Sequence, residues 1–269
     1  MAVSLVAMHT LTFTHESIVR TMPRILVLNA NTTTSVTDLV VRHVRDVLGA
    51  DVELIPATAR LGARYISTET SYAIAGHSAL DCLALQCAEA PNGFDSVLLA
   101  CFGDPGLFAL RESSPVPVVG LAEAAMQEAA QLGRYSIVTG GVLWKPMLLR
   151  LAHALGLSEA IASIRPITLT GDQIAAAPEA ALKFLAAEAQ VAADHDGAQA
   201  VILGGAALAG LAARIAPLVS VPVIDSVHAG ARTALRLALQ AHKPWPDCAA
   251  GKAPAPSIGL HPELARLLP

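Results

Sequence analysis

A thiol standing where an apolar strand gives way to a turn opens the chemistry of this chain. Cys101 ends the run in "DSVLLACFGDPGL" and is followed by Phe102, Gly103, Asp104, Pro105 and Gly106. If a helix begins directly beyond this turn, its unpaired N–H groups and positive dipole end would draw the thiol pKa from about 8.5 towards neutrality. The thiolate could then take a proton from an acidic carbon. A buried, inert strand-end cysteine is the other outcome this stretch allows. Two more turns carry the groups such a reaction needs around it. Asn29, Asn31, Thr32 and Thr33 in "RILVLNANTTT" offer amides and hydroxyls. Thr139, Gly140 and Gly141 in "RYSIVTGGVLW" offer a hydroxyl and closely approaching N–H groups. Donors of this kind hold a carboxylate, amide or imide and stabilise an enolate as charge moves onto oxygen. Thr34, Ser35 or Thr37 could also cap the helix that follows, and both roles fit one turn.

Other chemistries find little support. Gly140-Gly141 lacks the spacing and the acidic partner of a dinucleotide fingerprint, and neither a Walker motif nor a G-x-S-x-G elbow occurs. Of the core histidines, His43, His77, His153 and His195 have no partnered nucleophile. His228 follows a strand end together with Asp225 and Ser226, which leaves it a candidate ligand contact. Cys82, Cys87, Cys101 and Cys248 show neither a CxxC pair nor metal-site spacing, so no metal is expected. Cys82 and Cys87 sit at helical apolar spacing, as core fillers do. A formal charge of −4 gives no electrostatic footprint for nucleic acid. No apolar run reaches the roughly 20 residues a membrane-spanning helix needs. With few cysteines and no signal-peptide pattern, the expected location is the cytoplasm.

The elements that must position these turns come in a repeat. "DSVLLACFGDPGL" (Asp95 to Leu107) aligns without a gap on "QAVILGGAALAGL" (Gln199 to Leu211), pairing Val97 with Val201, Leu99 with Leu203 and Gly106 with Gly210. A short strand follows in each half, "PVPVVG" and "SVPVID", and helical patterns fill the gaps. Strands alternating with helices imply parallel sheets covered on both faces. The expected fold is α/β, two pseudo-symmetric doubly wound lobes with a cleft between them. Residues 24–122 with 228–269 would form the first lobe and 123–227 the second. Residues 1–23 read as a ragged extension, and the tail from Lys243 as a surface wrap. Ligands in such sheets bind beyond the carboxyl ends of the strands. Four turns should therefore face the cleft: Asn29 to Thr33, Cys101 to Gly106, Thr139 to Gly141, and Gly204 to Ala207. Asn31, Thr32, Thr33, Phe102, Gly103, Thr139, Gly140, Gly141, Gly204 and Ala206 are the candidate substrate contacts.

"VLNANTTTSVT", "ACFGDPGL", "YSIVTGGVLWKPML" and "PVIDSV" together resemble the hydantoin and allantoin racemase branch of the aspartate/glutamate racemase superfamily. The resemblance implies a cofactor-independent, homo-oligomeric enzyme of two similar lobes acting on a small ring compound. One cysteine takes the proton next to a carbonyl and a second returns it from the opposite face. Cys101 matches the first, and the second position is Gly205. Three outcomes stay open: a racemase-derived pocket short of one acid/base; a single-cysteine enzyme in the manner of the arylmalonate decarboxylases; or a site in which His228, Asp104 or water serves the Gly205 face. A small-molecule binding protein without catalysis is a further reading. Tyr65, Glu69 and Tyr72, in "RLGARYISTETSYAIAG", are candidate contacts to the ring substituent.

Overall fold

The computed structural model describes residues 22–90, 93–240 and 256–268, so residues 1–21, Cys248 and most of the proline-rich tail lie outside the described residues. Among the described residues, eight strands form two parallel sheets. In the first, β1 (Arg24–Asn29), β2 (Glu53–Thr58), β3 (Ser96–Leu99) and β4 (Val118–Gly120) run in the order β2-β1-β3-β4. In the second, β5 (Tyr135–Gly140), β6 (Ile161–Ile167), β7 (Ala200–Gly204) and β8 (Val223–Asp225) repeat it as β6-β5-β7-β8. The central strands β3 and β7 are buried along their whole length, which is why they read as unbroken apolar runs.

Register makes the repeat physical. Leu28 of β1 faces Leu99 of β3, and Val138 of β5 faces Leu203 of β7, so the residues two beyond each partner, Cys101 and Gly205, occupy equivalent strand ends. The period of two divides the second core. Val138, Val201 and Leu203 cluster with Leu185 and Ala189, whereas Ile137, Ala200 and Ile202 join a cluster that runs through the first sheet.

Helices close both sheets. α1 (Thr34–Leu48) buries Val36, Val40 and Val44, one stripe at helical spacing. Its N-cap is Thr33 rather than Thr34, Ser35 or Thr37; the Thr33 hydroxyl donates to the Arg64 carbonyl at 2.7 Å and caps nothing. α2 (Glu69–Glu89) starts with a capping box between Thr68 and Ser71, and α3 (Leu107–Ser113) follows the Cys101 turn. α4 (Leu121–Ala130) continues from β4, α5 (Trp144–Ala154) follows β5, and α6 (Gly171–Ala176) and α7 (Pro178–His195) follow β6. α8 (Leu211–Ile215) lies between β7 and β8, and α9 (Ser226–Gln240) follows β8. α4 leaves the first sheet to pack on β7, and α9 leaves the second to pack on β3 and α1, so each lobe covers part of the other. The described part of the tail does more than wrap the surface: α10 (Pro262–Ala265) docks on α2 and buries Leu264, because a proline-started turn with one apolar side chain can seal a helix face.

Candidate active site

The turn after β3 is shaped by Asp104, whose backbone is left-handed (φ 52°), a costly state for a residue with a Cβ. Its carboxylate holds it there by accepting from the N–H groups of Ala122 and Glu123 at 2.9 and 2.8 Å, the first turn of α4. Gly120 makes room, since a Cβ there would lie 2.1 Å from the Asp104 carboxyl carbon. Burial pushes the Asp104 carboxyl up to about 7, against the downward pull of those two N–H bonds.

Cys101 does not have the activated thiol expected of a helix N-terminus. α3 begins only at Leu107, beyond the left-handed Gly106, and the nearest N–H of the turn, that of Asp104, bonds the Cys101 carbonyl at 3.0 Å. The thiol itself points to the Phe102 carbonyl at 4.0 Å. Burial and then the Asp104 carboxylate push the Cys101 thiol well up, and both causes favour the neutral form.

Gly205 stands at the equivalent position with φ 150° and ψ 134°, a conformation open to glycine alone. Its N–H donates to the buried Ser226 hydroxyl at 3.2 Å and its carbonyl accepts from Leu208 at 2.9 Å. A 3-10 turn, Ala206–Leu208, follows, and the N–H groups of Ala206 and Ala207 that open it have no acceptor within the turn.

These strand ends enclose a cavity of about 350 Å³. Asn31, Cys101, Phe102, Thr139, Gly140, Gly141, Gly205 and Ala206 all line it. Thr32, Thr33, Gly103 and Gly204 do not, a correction to the expected contacts that traces to hydrogen bonding for the two threonines and to shielding for the two glycines. The Thr32 N–H is held by the Ala63 carbonyl and Thr33 faces Arg64. Gly204 lies under the Phe102 ring and Gly103 under the Trp144 ring, so each is shielded by a neighbour that reaches the cavity in its place. Asn29 supports from behind: its Nδ2 donates to Asn31 Oδ1, the Thr33 carbonyl and Thr37 Oγ1, and its Oδ1 accepts from the Asn31 N–H. Asn31 Oδ1 also accepts from the Thr33 N–H at 2.8 Å. That fixes the acceptor end of Asn31, a lining residue whose NH₂ group has no protein acceptor among the described residues.

Neither His228 nor Asp104 lines the cavity. His228 lies behind the second turn, its ring 6.1 Å from that of His43, with its Nε2 buried and unbonded among the described residues. Tyr65 lines the cavity, whereas Glu69 and Tyr72 take supporting positions. Glu69 forms a fork with Arg150 at 2.6 and 2.8 Å, Arg150 lies over the Tyr72 ring, and the Tyr72 hydroxyl donates to the Gly103 carbonyl at 2.8 Å beside Cys101. Burial and the nearby Asp104 push Tyr72 up to about 12, which keeps it a donor.

The remaining walls come mostly from residues not singled out in the sequence. Trp144 opens α5, Ile66 and Ser67 follow Tyr65 in the loop before α2, and Thr170, Gly171 and Asp172 start α6. Trp144, three residues beyond the Gly140-Gly141 turn, and Ile66 and Ser67, within "RLGARYISTETSYAIAG", had a local signal; the start of α6 had none. Cys101, Tyr65 and Asp172 are the titratable groups of the lining, and no Lys, Arg or His of the described residues reaches it. No group of three or more His, Cys, Asp or Glu among the described residues could hold a metal ion, and no described helix is long and apolar enough to cross a membrane.

A family model described as Asp/Glu/Hydantoin racemase matches residues 25–234. Hydantoin racemase of Pseudomonas sp. (strain NS671) is 31% identical over 212 residues, 78% of this chain and 84% of the relative. Among solved structures, allantoin racemase from Pseudomonas fluorescens superposes with a TM-score of 0.79 at 30% identity, covering 88% of this chain and 100% of that one. Allantoin racemase from Klebsiella pneumoniae gives 0.80 at 30% identity, covering 92% and 99%.

Proposed function

The chain belongs to the Asp/Glu/hydantoin racemase family, and from that premise we propose that it moves a proton at an acidic carbon next to a carbonyl of a hydantoin-like or allantoin-like compound. Cys101 is the acid/base in this reading, and no second thiol lines the cavity among the described residues. The observation that carries it is the pairing of Cys101 with Gly205 at equivalent strand ends on one cavity. A ring held between them would present one face to sulfur and the other to backbone. The Asn31 amide and the N–H groups of Ala206 and Ala207 would receive the carbonyl oxygen as the enolate forms. Cys101 removes the proton as thiolate and returns it as thiol on the same face. Because its pKa is raised, the thiolate fraction and the exchange rate both climb as pH rises through neutrality and beyond.

A second reading draws on the same raised pKa. A resting thiol is ready to protonate an enolate generated by loss of carbon dioxide, the step of a single-cysteine decarboxylase. Deuterium exchange separates the possibilities. In heavy water, one-sided proton transfer washes deuterium into a single enantiomer of a 5-substituted hydantoin without inverting it. Inversion with label in both enantiomers would mean that another group serves the Gly205 face. Absence of exchange at any pH would favour the decarboxylase or a binding protein. Cys101→Ser should cut exchange by about a hundredfold or more, the range for losing a positioned acid/base.

A further inference from the structure

Charge is distributed unevenly around the cavity. One wall is formed by Asn31, Ala206 and Ala207, the residues proposed above as donors, whereas the carboxylate of the described lining, Asp172, lies in the first turn of α6. No cation of the described lining balances it. Asp172 is exposed but oriented: one of its oxygens accepts from the Thr170 hydroxyl, and Thr170 is itself fixed by a capping box in which its N–H donates to the Gln173 side chain at 2.9 Å. The second carboxylate oxygen has no protein partner among the described residues. The lips of the two lobes meet here, with the Tyr65 ring 3.9 Å from where a Cβ on Gly171 would stand.

We propose that Asp172 determines specificity by accepting a hydrogen bond from an N–H group on the arm of the substrate and repelling an arm that ends in a carboxylate. This rests on the reading of the site as one for small ring compounds. A ring whose carbonyl lies against the deep donors extends its substituent towards α6. A ureido or ammonium arm gains a charge-assisted bond there. An alkyl arm packs on Val36, Ile66 and Leu208 and leaves Asp172 in water. A carboxylate arm meets a like charge with no cation in the described lining to offset it.

The test compares hydantoins with ureido, isobutyl and carboxymethyl arms, by deuterium exchange on the active protein and by calorimetric binding to Cys101→Ser. Wild type should favour the ureido over the carboxymethyl compound, and Asp172→Asn should narrow that ratio by about tenfold, a typical loss for one charge-assisted contact at a lip. Asp172→Lys should reverse it, and added salt should shrink the discrimination in wild type but not in Asp172→Asn. Ratios within one variant do not depend on how much of it is folded. Exchange or binding of all three compounds with a ratio indifferent to residue 172 overturns the role of Asp172 alone. Failure of every compound in both assays overturns the proposed function with it.

Discussion

The turns after β3 and β7 share a length, a strand register and a left-handed glycine before the next helix, Gly106 at φ 79° and Gly210 at φ 80°. They differ in what fastens them. In the first lobe the aspartate belongs to the turn: Asp104 reaches across Gly120 to the N–H groups that open α4. In the second lobe it belongs to the end of the neighbouring strand. Asp225, at the register position equivalent to Gly120, accepts from Val227 and His228 at the start of α9 and from the Gly210 N–H of the turn at 2.8 Å. The same tie between turn and helix is thus made from opposite ends. A lobe that anchors its turn from inside places a left-handed aspartate next to the thiol, which adds to burial in raising the thiol pKa. One that anchors it from outside leaves the turn free to be all small residues.

Removing the anchors should have the largest effect. Asp225→Ala strands three N–H groups, two of them at the start of a packed helix, and should lower unfolding free energy in denaturant titrations by about 3 kcal/mol. An unchanged midpoint would mean that the second turn needs no anchor. Gly205→Cys should come next, at about 1 to 3 kcal/mol, because a side chain is strained at φ 150° and meets the Leu208 terminus. It should also add inversion to the one-sided exchange, seen as label in both enantiomers; a folded variant with no inversion would show that the lobes are not chemically interchangeable.

Tyr72→Phe removes the donor to the Gly103 carbonyl and should cost about 1 kcal/mol. Exchange through Cys101 should fall severalfold in rate with little change in substrate binding, since Tyr72 does not line the cavity. The last effect is a slope against pH rather than a fixed loss. The folded Asp104 carboxyl sits at about 7 against an ordinary 3.8, so the folded state holds a proton that the unfolded chain has lost between about pH 4 and 7. Stability from this group is therefore greatest on the acid side and falls as pH rises through that window. Asp104→Asn should flatten the slope in titrations at several pH values.

Much of this contrast was legible in the chain. The apolar runs before Cys101 and Gly205 and their gapless alignment gave the equivalence of the two strand ends. The Asn and Thr run marked a donor turn, although only Asn31 of its proposed contacts reaches the cavity. Tyr65 was visible as a loop candidate, but Asp172 was not, because nothing in "TGDQIAA" distinguishes a helix start at a cavity lip from one in solvent. Trp144 covering Gly103, forty-one residues away in sequence, depends on the two lobes meeting.

Period-two and helical patterning, glycine turns and strand-to-turn order are local steric properties, and the sequence by itself determined them: the parallel α/β halves, their repeat and the equivalence of the Cys101 and Gly205 strand ends. Burial, desolvation and the direction of a carboxylate are sums over groups far apart in the chain. Only the tertiary structure could decide that burial favours the neutral Cys101 thiol, that Asp104 and Asp225 tie turns to helix starts, and that the charge at the cavity lip belongs to Asp172.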